Sequence, residues 1–244
     1  MAEIKIIQSI MKENDRVAED NRQWFDKNRV FTINIMSSPG SGKTTILEKT
    51  VARLKDRFKI GVIEGDIYTS VDADRLRPLG IPLVQINTGP FGGECHLSAA
   101  MIRAALDGFT PGEIELLFVE NVGNLVCPAE FELGVERDVA ILSVTEGEDK
   151  PLKYPLLFRR AHVMLLSKID LLPHLQYDQK LAEGNVKKIN PKLPILPVSA
   201  KTGEGFDAWI DWIVSQVKEG KKTPEPGSPE HKHHDHHETG HHKH

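Results

Sequence analysis

The sequence has few cysteines and lacks any long apolar run. Cys95 and Cys127 are the only cysteines among its 244 residues, and two cannot build a disulfide-stapled scaffold. No apolar run approaches the roughly 18–20 residues that a membrane span needs. Charged residues interrupt the apolar ones near the N-terminus, so the core of a signal peptide is missing as well. We therefore expect a soluble cytoplasmic protein that does not enter a membrane.

An excess of charge of one sign is also missing. Lysine and arginine number 31 against 35 aspartates and glutamates, which gives a net charge of −4. Without a basic field, nucleic acid is not an expected partner. Hydrophobic residues make up 39% and charged residues 27% of the chain, a balance that supports a packed core and excludes wholesale disorder.

Short apolar runs alternate with amphipathic stretches between residues 31 and 220. Such runs are typical of strands buried on both faces, and the stretches between them are typical of crossover helices. The pattern predicts a single α/β domain with a mostly parallel sheet flanked by helices. The predicted strands are Phe31–Met36, Ile60–Ile63, Leu83–Ile86, Leu116–Val119, Val139–Val144, Val163–Leu166 and Ile195–Val198.

The segments on either side of this domain have different patterns. Residues 1–30 predict an amphipathic helix packed on the core, and the last helix of the domain is predicted at about Phe206–Lys218. Prolines and a glycine then interrupt the chain. Residues 221–244 are predicted to form a linker and a histidine-rich tail that is disordered without metal.

A glycine-rich loop follows the first predicted strand and resembles the P-loop, G-x-x-x-x-G-K-[ST], with Ser37 in place of the first glycine. In such a loop, backbone N–H groups surround the phosphate oxygens and the following helix adds positive potential. Lys43 would neutralise the β and γ phosphates, and the Thr44 hydroxyl would hold Mg²⁺. The predicted phosphate-binding residues are Ser38, Pro39, Gly40, Ser41, Gly42, Lys43, Thr44 and Thr45.

Two later segments indicate which base is bound. Ser167-Lys168-Ile169-Asp170 resembles the guanine loop N-K-x-D of GTPases, with Ser167 in place of asparagine. The Asp170 carboxylate would accept hydrogen bonds from guanine N1–H and its amino group, whereas adenine would leave it unpaired. Lys168 would lie along the base. GTP is therefore favoured over ATP, and the base-contacting S-A-K loop is predicted at Ser199, Ala200 and Lys201.

Acidic residues follow two of the predicted strands. The carboxyl ends of parallel strands face the nucleotide crevice, so Asp66 is predicted as a Mg²⁺-linked switch residue and Glu120 as the Walker-B carboxylate. Gly123 is placed where it could contact the γ-phosphate. The alternative for Asp66 and Glu120 is that each is a solvated loop acid at the edge of the sheet. The predicted catalytic residues are Lys43, Thr44, Asp66 and Glu120, of which the last three are also predicted to hold Mg²⁺.

Other charged residues are less decisive. Asp72 and Asp74 are favoured as surface or interface charges. No general base or arginine finger is assigned, and four arginines remain candidates for the finger: Arg75, Arg77, Arg103 and Arg137.

The cysteines belong to a second constellation. Cys95 and His96 are adjacent, and Cys127 follows the strand that ends near Glu120. Thiolate and imidazole together suit Zn²⁺ or Ni²⁺. These residues leave a closed site without a fourth ligand, which a two-fold dimer could supply by bringing two sets together. The alternative is that both cysteines are small buried hydrophobes.

The combination of S-P-G-S-G-K-T, E-G-D-I, G-G-E-C-H-L, E-N-V-G-N-L-V-C-P and S-K-I-D-L-L-P resembles the HypB family over about residues 5–215. Members of this family are nickel-insertion GTPases that assist maturation of [NiFe]-hydrogenase. The resemblance implies a P-loop GTPase that forms a homodimer on GTP. It also implies a metal site at the dimer interface and partnership with other maturation proteins and the hydrogenase large subunit. The metal-site residues that match the family are Cys95, His96 and Cys127.

The histidine-rich tail forms a second set of candidate ligands. Neutral imidazoles favour borderline cations such as Ni²⁺ and Zn²⁺, so the tail is interpreted as a nickel store, with an affinity tag as the alternative. Its predicted ligands are His231, His233, His234, His236, His237, His241, His242 and His244.

Two other functions remain open on the sequence alone. One is a GTP-regulated chaperone for a cobalamin enzyme, which would need no Cys–His site. The other is a nickel reservoir whose GTPase core is vestigial.

Overall fold

The computed structural model describes residues 2–91 and 93–220, and in them one sheet of seven strands. The strand order is β3-β2-β4-β1-β5-β6-β7, and every neighbouring pair is parallel. All predicted strands are present, so the α/β class with a mostly parallel sheet is confirmed. The strands are β1 Phe31–Ser37, β2 Ile60–Asp66, β3 Leu83–Asn87, β4 Leu116–Glu120, β5 Arg137–Ser143, β6 Val163–Ser167 and β7 Ile195–Val198.

Helices connect the strands and cover both faces of the sheet. The α-helices are α1 Ala2–Asn28, α2 Lys43–Leu54, α3 Val71–Leu76, α4 Ala99–Ala105, α5 Cys127–Glu130, α6 Lys150–Lys153, α7 Pro155–Arg160, α8 Gln179–Ile189 and α9 Phe206–Gly220. Short 3₁₀ segments span Arg77–Leu79, Gly89–Phe91, Leu106–Gly108 and Ile169–His174.

Strand β5 illustrates why the strands are apolar throughout. Its side chains alternate between faces: Val139 and Ile141 belong to the core beneath α2 and α9, whereas Ala140 and Leu142 belong to the core beneath α7 and α8. A strand covered on both faces has no solvent side, so it reads as a continuous hydrophobic run. Helix α9 ends at Gly220, beside the ring of Phe31 at the start of β1.

Two buried asparagines connect helix α1 to the first residue of α4 and to the loop after α5. The Asn21 amide donates hydrogen bonds to the Ala99 and Leu133 carbonyls at 2.9 and 3.0 Å. Asn14 accepts a 2.9 Å bond from the Ala99 N–H. The side chain of Phe25 is fully buried beneath the helix. The N-terminal helix thereby holds the first residue of α4, which follows the Cys95–His96 segment.

Gly134 lies directly against the backbone of α1. Its φ is 86°, and an added Cβ would lie 2.2 Å from the Ala18 carbonyl oxygen. Gly112 has a similar φ of 83° but no atom of the described chain within 4 Å of that position. Comparing a substitution at Gly134 with the same substitution at Gly112 therefore separates the effect of backbone strain from that of collision with α1.

We expect Gly134→Ala to lower the free energy of unfolding more than Gly112→Ala does. Each substitution incurs the strain of a left-handed alanine, about 1–3 kcal/mol, and only Gly134→Ala also displaces α1. Urea unfolding of both variants measures the difference. Equal losses would mean that the contact between Gly134 and α1 contributes nothing to stability.

Candidate nucleotide and metal site

A glycine-rich loop joins β1 to α2 at the carboxyl edge of the sheet. Gly40 and Gly42 have φ angles of 74° and 97°, a left-handed conformation that glycine adopts without steric cost. Because α2 begins at Lys43, its first N–H groups face the loop, as in sites that bind phosphate. Ser37 is buried, and its hydroxyl donates a 2.8 Å hydrogen bond to the Ser38 carbonyl. A serine therefore fits where the P-loop pattern has its first glycine.

A cavity of about 230 Å³ opens between this loop and the ends of β2 and β4. Lys43, Asp66 and Glu120 all line it. Beside it, the Thr44 hydroxyl donates a 2.7 Å hydrogen bond to Oε1 of Glu120. The sheet thus brings the four predicted catalytic residues to one place. A wider surface cavity, of about 620 Å³, lies around residues 175–180 and is lined by none of the predicted residues.

Asp66 is not free in this conformation. Its carboxylate accepts a 2.7 Å hydrogen bond from the Ile67 N–H and a 3.1 Å bond from the Thr69 N–H, and the Thr69 hydroxyl also donates to it. Asp66 therefore shapes the loop after β2. To hold a cation it would have to share or release these donors.

Asp72 lines the cavity, and its side chain is 42% exposed. Its interpretation as a surface or interface charge stays a prediction. Asp74 is exposed and pairs with Arg77 at 2.9 Å. Gly123 lines the cavity too, and an added Cβ there would lie 3.0 Å from the Pro39 Cα. The loop after β4 is therefore packed tightly against the P-loop.

Glu64 lines the cavity, and sequence reasoning missed it. It is 1% exposed, and it sits opposite Glu120 in the register of β2 and β4. Oε2 of each carboxylate is buried without a hydrogen-bond partner in the described residues. Burial raises the pKa of Glu64 to about 8, with repulsion from Glu120 adding to it. The available signal was strand periodicity, which puts Glu64 on the same face as Asp66.

The charges in the cavity fit a divalent cation. Burial raises the pKa of Glu120 to about 7, and the nearby Lys43 opposes that rise. Burial likewise lowers the pKa of Lys43. Unpaired buried carboxylate oxygens carry a large desolvation cost unless a cation or a proton compensates them. Mg²⁺ prefers oxygen ligands of this kind, so these residues fit it.

Stability in the absence of nucleotide and metal should therefore fall as the pH rises. Glu64 has a folded-state pKa near 8 and an unfolded value of about 4.3, so in that window the folded chain holds more protons than the unfolded one. Glu64→Gln should reduce the slope of unfolding free energy against pH and raise stability at pH 8 by about 1–3 kcal/mol.

The remaining slope in this variant should come from Glu120, whose pKa is raised to about 7, and from Glu136, whose pKa burial also raises. Urea unfolding at several pH values, with a chelator present, is the measurement. An unchanged slope in Glu64→Gln would contradict the assignment of this proton to Glu64.

The predicted base loop is attached directly to the P-loop. Ser167 donates a 2.8 Å hydrogen bond from its hydroxyl to the Ser41 carbonyl, so the serine in place of asparagine still braces the loop. Lys168 donates from Nζ to the Gly40 carbonyl at 2.6 Å. Its φ of 61° is left-handed.

Asp170 faces the second base-contacting loop. Its Oδ1 accepts a 2.6 Å hydrogen bond from the Ser199 hydroxyl. The same hydroxyl oxygen accepts a 3.2 Å bond from the Lys201 N–H, which orders Ser199, Ala200 and Lys201. The two predicted base-contacting segments thus meet beside the P-loop.

Among the four candidate arginines, Arg75 contacts a P-loop residue. Its Nη2 donates to the Thr45 hydroxyl at 3.0 Å and to the Glu48 carboxylate at 2.8 Å. Arg137 begins β5 at the opposite edge of the sheet and donates a 2.6 Å bond to Gln216. The fold therefore favours Arg75 over Arg137 as a nucleotide-contacting arginine, and it assigns neither to a phosphate.

The second constellation also assembles. The ligand atoms of Cys95, His96 and Cys127 lie within 4.8 Å of one another. The two sulfur atoms are 2.8 Å apart, and both thiols are free and half-buried. The His96 ring stacks on Phe131 at a centroid distance of 3.9 Å, and its Nδ1 is buried without a partner in the described residues. This packing does not fit two independent buried hydrophobes.

The donor set suits a thiophilic or borderline cation. Burial raises the pKa of the Cys127 thiol to about 11, and the contact with Cys95 adds to the effect. Burial also lowers the pKa of His96, which keeps the imidazole neutral and available as a ligand. A bound cation would deprotonate the thiols, so the residues fit Ni²⁺ or Zn²⁺.

The tail histidines, His231–His244, lie outside the described residues. Within the described chain, the helices are too short or too polar to cross a membrane.

Residues 31–197 match the family described as CobW/HypB/UreG, nucleotide-binding domain. This match and the loop geometry define the class as a nucleotide-binding P-loop protein. Over 211 residues the chain is 50% identical to the hydrogenase maturation factor HypB of Rhizobium leguminosarum bv. viciae, which covers 85% of this chain and 70% of the relative. The chain belongs to the HypB family.

Solved structures agree with this assignment. HypB from Archaeoglobus fulgidus has a TM-score of 0.78 and 39% identity, covering 84% of this chain and 99% of that one. HypB from Helicobacter pylori, solved in complex with nickel, has a TM-score of 0.78 and 38% identity, covering 85% and 96%.

Proposed function

We propose that this chain is a GTPase that binds Ni²⁺ and delivers it for [NiFe]-hydrogenase assembly. The observation that carries the proposal is the shared edge of the sheet. The P-loop cavity is built from the ends of, and the loops after, β1, β2 and β4, and the Cys95, His96 and Cys127 group from the loops after β3 and β4, so both use the loop after β4. Relatives named as hydrogenase maturation factors, and one solved with nickel, support it. The proposed location of the protein is the cytoplasm, where GTP is available.

Hydrolysis would proceed by attack of water on the γ-phosphate of GTP, in line with the bond to the departing GDP. The N–H groups of the P-loop and Lys43 would stabilise charge on the phosphate oxygens. Thr44, Asp66 and Glu120, together with Glu64, would hold Mg²⁺, which supplies positive charge beside those oxygens when bound. Release of Asp66 from Thr69 is the rearrangement that this requires.

Guanine selection would rest on Asp170. Its Oδ1 already accepts the Ser199 hydroxyl, which fixes the carboxylate so that its other oxygen and lone pairs can receive guanine donors. A buried acceptor left unpaired by adenine costs about 1–3 kcal/mol. GTP and GDP would therefore be preferred over adenine nucleotides.

Asp170→Asn should move the base preference from guanine toward xanthine, because the amide presents a donor to the 2-oxo group of xanthine. Phosphate release from GTP and from XTP is the measurement, and Asp211→Asn, an exposed change on α9, is the control. Intact GTP preference in Asp170→Asn would show that the base is read elsewhere. Absence of phosphate release from the parent protein would refute the GTPase itself.

The metal site would be completed by a second copy of the chain. Cys95, His96 and Cys127 leave a closed site without a fourth ligand, and a two-fold axis would place an identical set opposite. Both Ni²⁺ and Zn²⁺ suit these donors. Formation of the homodimer on GTP would let nucleotide state govern the metal, which would pass to other maturation proteins and the hydrogenase large subunit.

Cys127→Ala should weaken Ni²⁺ binding and erase its dependence on nucleotide, while GTP binding stays largely intact. The nickel–thiolate absorption band reports this site separately from histidine ligands, and light scattering on the same samples gives the mass with GDP and with a non-hydrolysable GTP analogue. Val126→Ala, an exposed neighbour, is the control. A nickel–thiolate band that is unchanged in Cys127→Ala would refute the site.

A further inference from the structure

The segment that carries Cys95 and His96 is tied at its front end to the strand that carries Asp66. Thr88 is fully buried; its N–H donates to the Asp66 carbonyl at 2.9 Å. Its hydroxyl donates to the Glu94 carbonyl at 2.7 Å. The residue before Cys95 is therefore linked through one side chain to the end of β2.

The back end of the same segment is tied to the loop after β4. Asn121 follows Glu120 directly, lines the nucleotide cavity and is fully buried. Its Oδ1 accepts hydrogen bonds from the Leu97 N–H at 3.1 Å and from the Val122 N–H at 3.0 Å. Leu97 follows His96, so this carboxamide joins one metal-ligand segment to the strand end that carries Glu120.

Further buried polar groups fix the orientation of Asn121. Its Nδ2 donates to Asn34 Oδ1 at 3.2 Å, and the Asn34 amide donates to the Asp138 carboxylate at 2.8 Å. Arg160 lies 3.5 Å from the same carboxylate and donates to the Ala129 carbonyl at 2.9 Å. Ala129 belongs to α5, which starts at Cys127, so the network reaches both ligand segments.

We propose that Asn121 is a positioning residue that transmits the nucleotide state to the Cys95–His96 segment, with Thr88 holding the front end. The inference rests on the proposed function, since it requires nickel and nucleotide on one chain. A displacement of the end of β4 when nucleotide binds carries the Asn121 carboxamide with it. Detaching Leu97 instead would leave its buried N–H unpaired, which is costly, and would remove one of the two hydrogen bonds to the Asn121 carboxamide oxygen. The segment therefore moves with the strand end, and the metal ligands move with the segment.

The test is a Ni²⁺ titration of the full chain with GDP and Mg²⁺, and with a non-hydrolysable GTP analogue and Mg²⁺. The readout is the nickel–thiolate absorption band. The parent protein should show different affinities in the two states, within the range of about 5- to 150-fold that is usual for coupled sites. In Asn121→Ala the ratio should fall to near one, while the band remains in both states.

Asn21→Ala is the matched control. Asn21 is also fully buried, and its amide makes two hydrogen bonds to backbone carbonyls, one of them to Ala99 in α4. It should lower the melting temperature comparably and keep the parent ratio. If Asn21→Ala lost the ratio as well, the effect would be one of general stability and the proposal would be overturned.

Thr88→Val keeps the test decisive if Asn121→Ala does not fold. Valine preserves the volume and removes only the hydroxyl bond to Glu94, and the ratio should again fall. A parent-like ratio in Thr88→Val, or in folded Asn121→Ala, would overturn the proposal. A parent protein without a nickel–thiolate band would refute the proposed metal site. A parent with the band but equal affinities would refute the coupling between the sites.

Discussion

The common direction of the strands is the constraint on which the candidate sites depend. Because every pair in the sheet is parallel, every strand ends at the same edge, and the loops that follow converge there. The P-loop, the acids of β2 and β4, the base loops and the cysteines come from distant parts of the sequence and meet for this reason. An antiparallel neighbour would have sent one of these loops to the other edge.

This convergence creates an electrostatic problem. Glu64 and Glu120 are buried side by side, and Asp66 and Asp72 line the same cavity. Lys43 also lines it, and Arg75 lies 3.8 Å from the Asp72 carboxylate. Burial in this cluster raises the pKa values of Glu64 and Glu120. In the proposed function, a bound divalent cation would compensate this excess of negative charge.

Much of this organisation was predictable from the sequence because its signals are local. The P-loop lies within nine residues, Ser37 to Thr45, and buried parallel strands read as apolar runs whatever their partners. The meeting of Cys95 with Cys127 followed from the rule that strand ends share an edge. Glu64 was missed although it directly follows the predicted strand Ile60–Ile63, because its burial beside Glu120 depends on the pairing of β2 with β4. The hydrogen bond from the Leu97 N–H to Asn121 joins residues that share no motif, so no sequence pattern predicts it.

The end of α9 has a consequence for the residues that follow it. Gly220 lies beside Phe31, at the amino edge of the sheet, while the cysteines lie at the carboxyl edge. Strand β1 has seven residues, which amounts to about 23 Å at roughly 3.3 Å each. Residues 221–230 precede the first tail histidine and span at most about 36 Å when fully extended. The linker is thus longer than the strand that separates the two edges. Chain length alone therefore does not keep a histidine near the start of the tail away from the carboxyl edge of its own domain. A linker of about five residues, which spans at most about 18 Å, would fall short of one strand length.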